Sequence, residues 1–101
     1  MADYWVLIHT RGPAWDPSTP RREQTGWKEH ADFMDALAEE GFVVLGGPIG
    51  HDIEQDTMLL LEAESEEDIR ARFEDDPWEH GVLEIKSIEP WTIWLRANEG
   101  G

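Results

Sequence analysis

The longest regular pattern of apolar and polar residues lies between residues 26 and 41. At about 100° per residue, one side of a helix over this segment carries the apolar residues Trp27, Ala31, Met34, Leu37 and Ala38. The opposite side carries the charged residues Lys28, Glu29, Asp32, Asp35 and Glu39. This spacing predicts an amphipathic α-helix that packs through its apolar side. Gly41 fits the positive φ that often follows such a helix.

His30 breaks this division, because it lies in the apolar sector between the directions of Met34 and Leu37. A titratable ring is therefore aimed at the packed side of the helix, where its neighbours set its protonation and its tautomer. Two interpretations are open from the sequence. His30 is either a core histidine bonded to a backbone carbonyl, or a functional residue that reaches a cavity.

Segments rich in β-branched and aromatic residues predict strands over residues 4–10, 42–45, 57–63 and 82–88. The first and third of these are apolar on both faces. The glycine- and proline-rich residues 46–50 predict the end of the second strand, at a point where another group approaches the backbone closely. This run lacks the spacing and the following helix of a phosphate-binding loop.

A second, shorter helix is predicted to begin after Ser65, a good N-cap followed by acidic residues that suit the helix dipole. Ile69 lies on its buried side. Continuing that side by seven residues reaches Asp76 rather than Asp75, and Pro77 disfavours helical geometry at Asp76. Asp76 is therefore predicted to be an inward-pointing carboxylate at the helix end. It either caps the turn at Pro77 or belongs to a functional site.

The predicted order is strand, helix, strand, strand, helix, strand, which is the βαββαβ arrangement of a ferredoxin-like α+β domain. Two helices would cover one face of a four-stranded antiparallel sheet. The other face is also apolar and spans about 400 Å², a size that usually marks an interface. We therefore predict a homodimer in which the two sheets pack face to face. Residues 1–96 are expected to form one domain, and residues 97–101 a disordered tail.

The chain carries 8 Lys and Arg against 23 Asp and Glu, a formal net charge of −15. This balance argues against nucleic acid and anionic membranes as partners, because both need clustered cations. No apolar run approaches the roughly 18 residues of a membrane span, and the N-terminus does not match a signal peptide. The chain has no cysteine, and its histidines lack metal-ligand spacing. We expect a cytoplasmic protein that holds no metal.

Residues 11–24 contain three prolines and one glycine, which predicts a long loop between the first strand and the first helix. Thr19 and Pro20 predict a helical turn with Thr19 as its N-cap. Arg21 and Arg22 follow in that turn. In so acidic a chain, two cations beside a pocket suggest an anionic ligand, and pairing with nearby Asp or Glu is the alternative.

Four pieces of sequence occur together in order: YWVLIHT, EHADFMDALAEEGFVV, LGGP and DPWEHG. In this order and spacing the chain resembles the YCII-related proteins, over nearly its whole length. The resemblance implies a small dimeric α+β-barrel protein. It also implies an active-site pair made of a helix histidine and the aspartate of an Asp-Pro-aromatic motif, which fall on His30 and Asp76. The long loop at 11–24 departs from the brief turn of shorter family members.

The resemblance implies an enzyme without a cofactor, a lyase or isomerase such as a dehydrochlorinase, that acts on a small aromatic or unsaturated substrate. His30 would act as general base while Asp76 fixes its tautomer. The expected substrate-binding residues are Arg21, Arg22, Trp15, Trp27, Gly47, Pro48 and Trp78. The alternative is a non-catalytic homodimer that holds a metabolite in the same pocket. A heme-dependent or oxygen-using relative ranks last.

Overall fold

The predicted order of strands and helices is confirmed by the computed structural model, which describes residues 3–97. A 3₁₀ turn, Arg21–Glu23, precedes the first helix. The strands are β1 (Asp3–Arg11), β2 (Val43–Ile49), β3 (Asp56–Ala63) and β4 (Leu83–Pro90). The helices are α1 (Trp27–Glu39) and α2 (Glu66–Phe73). Apart from Ala97, the predicted tail lies outside the described residues.

The four strands form one antiparallel sheet in the order β2-β3-β1-β4. Its central strands, β1 and β3, place Leu7 opposite Leu59. β4 pairs with the other side of β1, and the register of this pairing shifts between Ile8 and His9. With one helix after β1 and the other after β3, this is the ferredoxin-like α+β fold.

Both helices pack on one face of the sheet, where buried apolar side chains form the main core. That core contains Leu7, Leu37, Val43, Leu59, Leu61, Ala63, Ile69, Phe73 and Ile88. A second, smaller cluster contains Trp15, Trp78 and Leu83. His9 and His30 are also buried. Because a polar group buried among apolar side chains needs a partner, the groups that face these two histidines matter for function.

The ends of the two helices follow the sequence signals. Gly41 has a φ of 83°, the positive value predicted for the residue after α1. At the N-cap of α2, the Ser65 hydroxyl accepts a hydrogen bond of 3.1 Å from the backbone N–H of Asp68. Beyond α2, Asp76 is fully buried and Asp75 is exposed. The predicted inward and outward directions of these two carboxylates are confirmed.

The prediction that the second strand ends at residue 45 is wrong. β2 continues through Gly46, Gly47 and Pro48, paired with β3 throughout. β2 is an edge strand, where a proline is tolerated because its missing N–H need not serve a neighbouring strand. Gly46 does allow a close approach, since a Cβ at this position would lie 2.6 Å from Cδ2 of Leu59.

The helical turn in the loop begins one residue later than predicted. Pro20, not Thr19, is the N-cap of the 3₁₀ turn. The Thr19 hydroxyl instead donates to Oδ2 of Asp16 at 2.9 Å. Oδ1 of Asp16 accepts from both the hydroxyl and the backbone N–H of Ser18, at 2.6 and 2.9 Å. These bonds lower the pKa of Asp16, the Ser18 hydroxyl having the largest effect.

The face of the sheet away from the helices bears an apolar groove of about 500 Å³, bordered by β2, β3 and residues 91–97. This C-terminal arm is tied at its start, where the backbone N–H of Trp91 donates to the carbonyl of Tyr4 at 2.9 Å. Farther along it, Trp94 and Leu95 are 87% and 90% exposed. The homodimer predicted through this face stays a prediction.

Candidate active site

The imidazole of His30 and the carboxylate of Asp76 face each other between α1 and the turn that follows α2. Nδ1 of His30 lies 2.8 Å from Oδ1 and 3.0 Å from Oδ2 of Asp76. His30 comes from the first turn of α1 and is 8% exposed, and Asp76 is fully buried. His30 and Asp76, which the sequence separately predicts to point inward, thus form one hydrogen-bonded pair.

The turn that begins at Asp76 holds this carboxylate in place. Its Oδ1 also accepts a hydrogen bond of 3.0 Å from the backbone N–H of Trp78, and its own carbonyl accepts from the N–H of Glu79 at 3.0 Å. The indole N–H of Trp78 donates to the carbonyl of Thr25 at 2.8 Å, which ties the turn to the segment before α1. These donors matter because a buried acceptor left unsatisfied costs about 1–3 kcal/mol.

The indole of Trp78 lies flat against the imidazole of His30. Their ring centroids are 4.1 Å apart and their planes differ by 10°. Trp27 adds a third ring, with its centroid 6.0 Å from that of His30 and 5.6 Å from that of Trp78. Aromatic packing of this kind restricts rotation of the imidazole, so Nδ1 stays directed at Asp76.

The contact with Asp76 decides which nitrogen of neutral His30 carries the proton. An ionised carboxylate can only accept hydrogen bonds, so Nδ1 donates and Nε2 keeps its lone pair. Within residues 3–97, the hydrogen bonds of this ring all pass through Nδ1 to Asp76, and 10% of the side chain is exposed. Nε2 is therefore available to take a proton, as a general base must.

His30 forms part of the wall of an open cleft of about 560 Å³ between α1 and the β2–β3 edge of the sheet. The apolar wall residues on α1 are Trp27, Ala31, Met34 and Ala38. The wall residues on β2 and β3 include Leu45, Gly46, Gly47, Thr57 and Leu59. This size, and a mostly apolar lining with few polar groups, are typical of a site for a small molecule.

The residues predicted to bind substrate fall into two groups. One group lines the cleft together with His30 and consists of Arg21, Arg22, Trp27 and Gly47. The other group, Trp15, Trp78 and Pro48, does not line it. Trp78 lies against the face of His30, and Trp15 is buried edge-on against Trp78 with centroids 6.0 Å apart. Trp78 therefore packs against His30, and Trp15 packs against Trp78, without either lining the cleft.

Pro48 borders the groove on the opposite face of the sheet. Its partner across the strand pair, Thr57, lines the cleft instead, so the pairing of β2 with β3 does not account for the position of Pro48. The wall contributed by β3 was also not predicted. Thr57 and Leu59 reach the cleft because they alternate with Met58, which lines the groove. This alternation is visible in the sequence and could have been used to predict that Thr57 and Leu59 line the cleft.

A second buried histidine contacts the same turn, and the sequence analysis did not predict it. Nε2 of His9, on β1, lies 2.9 Å from Oε1 of Glu79. The His9 ring is 2% exposed and packs edge-on against Phe73 at 5.3 Å. Alternation with Leu7 indicates that His9 faces the helices, but no local signal names Glu79 as its partner.

Within residues 3–97, no three side chains of His, Asp or Glu come together as ligands would. The helices of this described part of the chain are also too short or too polar to cross a membrane.

No family model and no curated protein sequence matches the chain. Among solved structures, similar ones include 5-chloro-2-hydroxyhydroquinone dehydrochlorinase (TftG) from Burkholderia phenoliruptrix AC1100, in complex with 2,5-dihydroxybenzoquinone. It has a TM-score of 0.59 and 22% identity, covering 87% of this chain and 93% of that one. Protein YJCS has a TM-score of 0.51 and 16% identity, covering 92% and 99%.

These likenesses extend over most of each chain, so they concern the complete domain. At such low identity they show the fold. The shared feature is the ferredoxin-like α+β domain, with a four-stranded antiparallel sheet and two helices.

Proposed function

We propose that this protein is a YCII-type enzyme that uses His30 and Asp76 for general acid–base chemistry without a cofactor. The reaction would be that of a lyase or isomerase, such as dehydrochlorination, on a small aromatic or unsaturated substrate. The observation that carries this proposal is the buried His30–Asp76 hydrogen bond at the wall of an open cleft. The similarity in fold to a dehydrochlorinase supports the lyase class.

In this proposal, Nε2 of His30 takes a proton from the substrate and later releases it. The imidazole becomes positively charged when the proton arrives, and the carboxylate of Asp76, 2.8 Å from Nδ1, favours that charged form. Asp76 keeps its own negative charge and acts on the substrate only through His30.

A single base, His30, is sufficient for both reaction classes. In an isomerisation, His30 removes a proton from one carbon and delivers it to another, so the double bond moves. In an elimination, His30 removes a proton, the electron pair left behind forms a double bond, and chloride departs with the electrons of its bond to carbon. The products of the elimination are the unsaturated product, chloride and a protonated His30, which then loses its proton to water.

The lining of the cleft favours a flat substrate. Trp27 from α1 and the bare backbone of Gly47 from β2 both line it. An aromatic ring could therefore lie along Trp27 with its reacting atoms near Nε2 of His30.

The proposed active form is a homodimer through the outer face of the sheet. That face combines the apolar groove with exposed aromatic and aliphatic side chains of the C-terminal arm. Exposed apolar surface of this extent usually marks an interface. Light scattering at micromolar concentration should give twice the mass of one chain, and the mass of a single chain would contradict the dimer.

The proposal is tested by assaying His30→Ala and Asp76→Asn against chlorinated phenols, chlorinated hydroquinones and unsaturated lactones. Trp78 needs an acceptor at position 76, so the amide oxygen of Asn would serve it and the NH₂ group would face His30. Nδ1 would then accept, and Nε2 would hold the proton and lose its basicity.

Both variants should lose turnover by about 10²–10⁴-fold, while His51→Ala, at an exposed position, should keep it. Unchanged turnover in both site variants would refute the proposed roles. If the wild-type protein binds members of this panel but turns none of them over, the non-catalytic metabolite-binding homodimer is favoured instead.

A further inference from the structure

In the described part of the chain, the guanidinium groups of two arginines at the cleft form no ion pair, although the sequence carries 23 acidic residues. The side chains of the other cations on the two helices and on β1 and β4 form ion pairs, namely Arg11, Lys28, Arg70, Arg72 and Lys86. Within residues 3–97, Arg21 and Arg22 form no such pair, and both line the cleft beside His30. The structure therefore does not show the alternative interpretation, in which these two side chains pair with a nearby Asp or Glu.

The guanidinium of Arg21 is held in place by packing. It lies over the ring of Trp15 at 5.1 Å, and its Nε and Nη2 atoms are enclosed without a hydrogen-bond partner among residues 3–97. The nearest acidic residue, Glu54, uses Oε2 to accept from the backbone N–H of Arg21 at 2.7 Å. Burial lowers the pKa of Arg21, with Glu54 raising it and Arg11 lowering it further. A guanidinium nevertheless stays protonated in proteins.

Arg22 adds a second positive charge at the same end of the cleft. Its guanidinium lies 5.8 Å from the ring centroid of Trp27, and Trp27 itself lines the cleft. Stacking of a guanidinium on an indole fixes its plane and leaves its edge free to meet an anion. The two arginines therefore present positive charge next to the aromatic wall of the cleft.

The acidic residue of the cleft is separated from these cations along α1. Asp35 lines the cleft and is exposed. It lies five residues beyond His30, which is about 7.5 Å along the helix axis. Arg21 and Arg22 precede the helix. The positive end, the base and the acidic residue thus follow one another along α1, with apolar side chains between His30 and Asp35.

We infer that the cleft binds a planar ligand bearing a carboxylate, with Arg21 and Arg22 holding the carboxylate while the ring lies beside His30. This deepens the proposed function, on which it rests, by assigning a charge to the substrate. A carboxylate suits two guanidinium groups because hydrogen bonds between oppositely charged groups are stronger than those between neutral groups. A ring attached to that carboxylate would extend toward the apolar side chains of α1.

The inference is tested by calorimetric titration with a matched pair of probes, 2,5-dihydroxybenzoate and 2,5-dihydroxybenzamide. The two have the same ring and differ in charge. The carboxylate should bind about tenfold or more tightly than the amide, and raising the salt concentration should reduce this difference. Arg21→Gln and Arg22→Gln should each remove most of the difference without weakening amide binding, which shows that the cleft is still folded.

Arg70→Gln is the matched control, because it removes the same charge from an exposed ion pair on α2 and should leave the carboxylate preference unchanged. Equal affinity for the two probes, no binding of the carboxylate, or an undiminished preference in both cleft variants would overturn the inference. His30→Ala should still prefer the carboxylate. If that preference holds but no substrate is turned over, the proposed function fails alone. If the enzyme is active on phenols but shows no preference, the inference fails alone.

Discussion

Nε2 of His9 lies 2.9 Å from Oε1 of Glu79, and this contact holds one end of the turn that presents Asp76 to His30. His9 belongs to β1 and His30 to α1, so the turn is bound to the sheet and to the first helix through two separate histidine–carboxylate contacts. Trp78, between the two carboxylates in sequence, stacks on His30. The position of the Asp76 carboxylate therefore depends on contacts on both sides of the turn.

The contribution of the His9–Glu79 contact can be measured with a double-mutant cycle of His9→Leu, Glu79→Gln and the double variant. Both side chains are largely removed from water, with 2% and 13% of them exposed. We expect a coupling energy of about 0.5–3 kcal/mol by urea unfolding. The same cycle on the exposed Lys28–Asp32 pair of α1 should give only about 0.3–0.5 kcal/mol. Additive effects of His9 and Glu79 would show that the contact does not hold the turn.

Two neighbouring aspartates should differ sharply in their effect on stability. Asp76→Ala removes the acceptor for the backbone N–H of Trp78 and for Nδ1 of His30, both of which are buried. It should lower the free energy of unfolding by about 1–3 kcal/mol or more. Asp75→Ala, at an exposed position, should change it by about 0.5 kcal/mol or less. Equal effects of the two substitutions in urea unfolding would contradict the buried pair.

Two adjacent glycines of β2 test the close packing of the edge strand. A Cβ at Gly46 would lie 2.6 Å from Cδ2 of Leu59, a residue of the main core, whereas one at Gly47 meets nothing within 4 Å. Gly46→Ala should therefore be less stable than Gly47→Ala by about 1–3 kcal/mol. Because both replacements are Gly→Ala in the same strand, their effects on the unfolded chain cancel in the comparison. Equal unfolding free energies would show that Leu59 moves aside without cost.

Asp16 should titrate below the usual range of an aspartate. Hydrogen bonds from the Ser18 hydroxyl and N–H, and then from the Thr19 hydroxyl, lower the pKa of Asp16. Its contribution to stability is fully present above the unfolded-state pKa of about 3.9 and is lost as the pH falls through the lower folded-state pKa. An NMR titration of the carboxyl carbon should show this, and Ser18→Ala should raise the midpoint. In the control Ser65→Ala the Asp16 midpoint should stay low.

Local patterns were enough to predict the order of the strands and helices and three of the side-chain directions. The helical period of α1 aimed His30 inward, and the same period continued past α2 aimed Asp76 inward and Asp75 outward. These directions depend on residues within about two turns of each other, so they can be derived from sequence. The end of β2 was predicted wrongly, since this strand continues through Pro48, because pairing with a neighbour can outweigh a local tendency to break.

Which side chains meet was decided only when the chain folded. His30 and Asp76 are 46 residues apart and His9 and Glu79 are 70 apart, and no periodic pattern spans such separations. The choice of Trp78 as the ring against His30, and the stacking of the Arg21 guanidinium on Trp15, depend on how α1, the turn after α2 and the loop before α1 pack together. Periodicity determines the direction of a side chain relative to its own helix or strand. The partner in that direction is supplied by the arrangement of the whole sheet and its two helices.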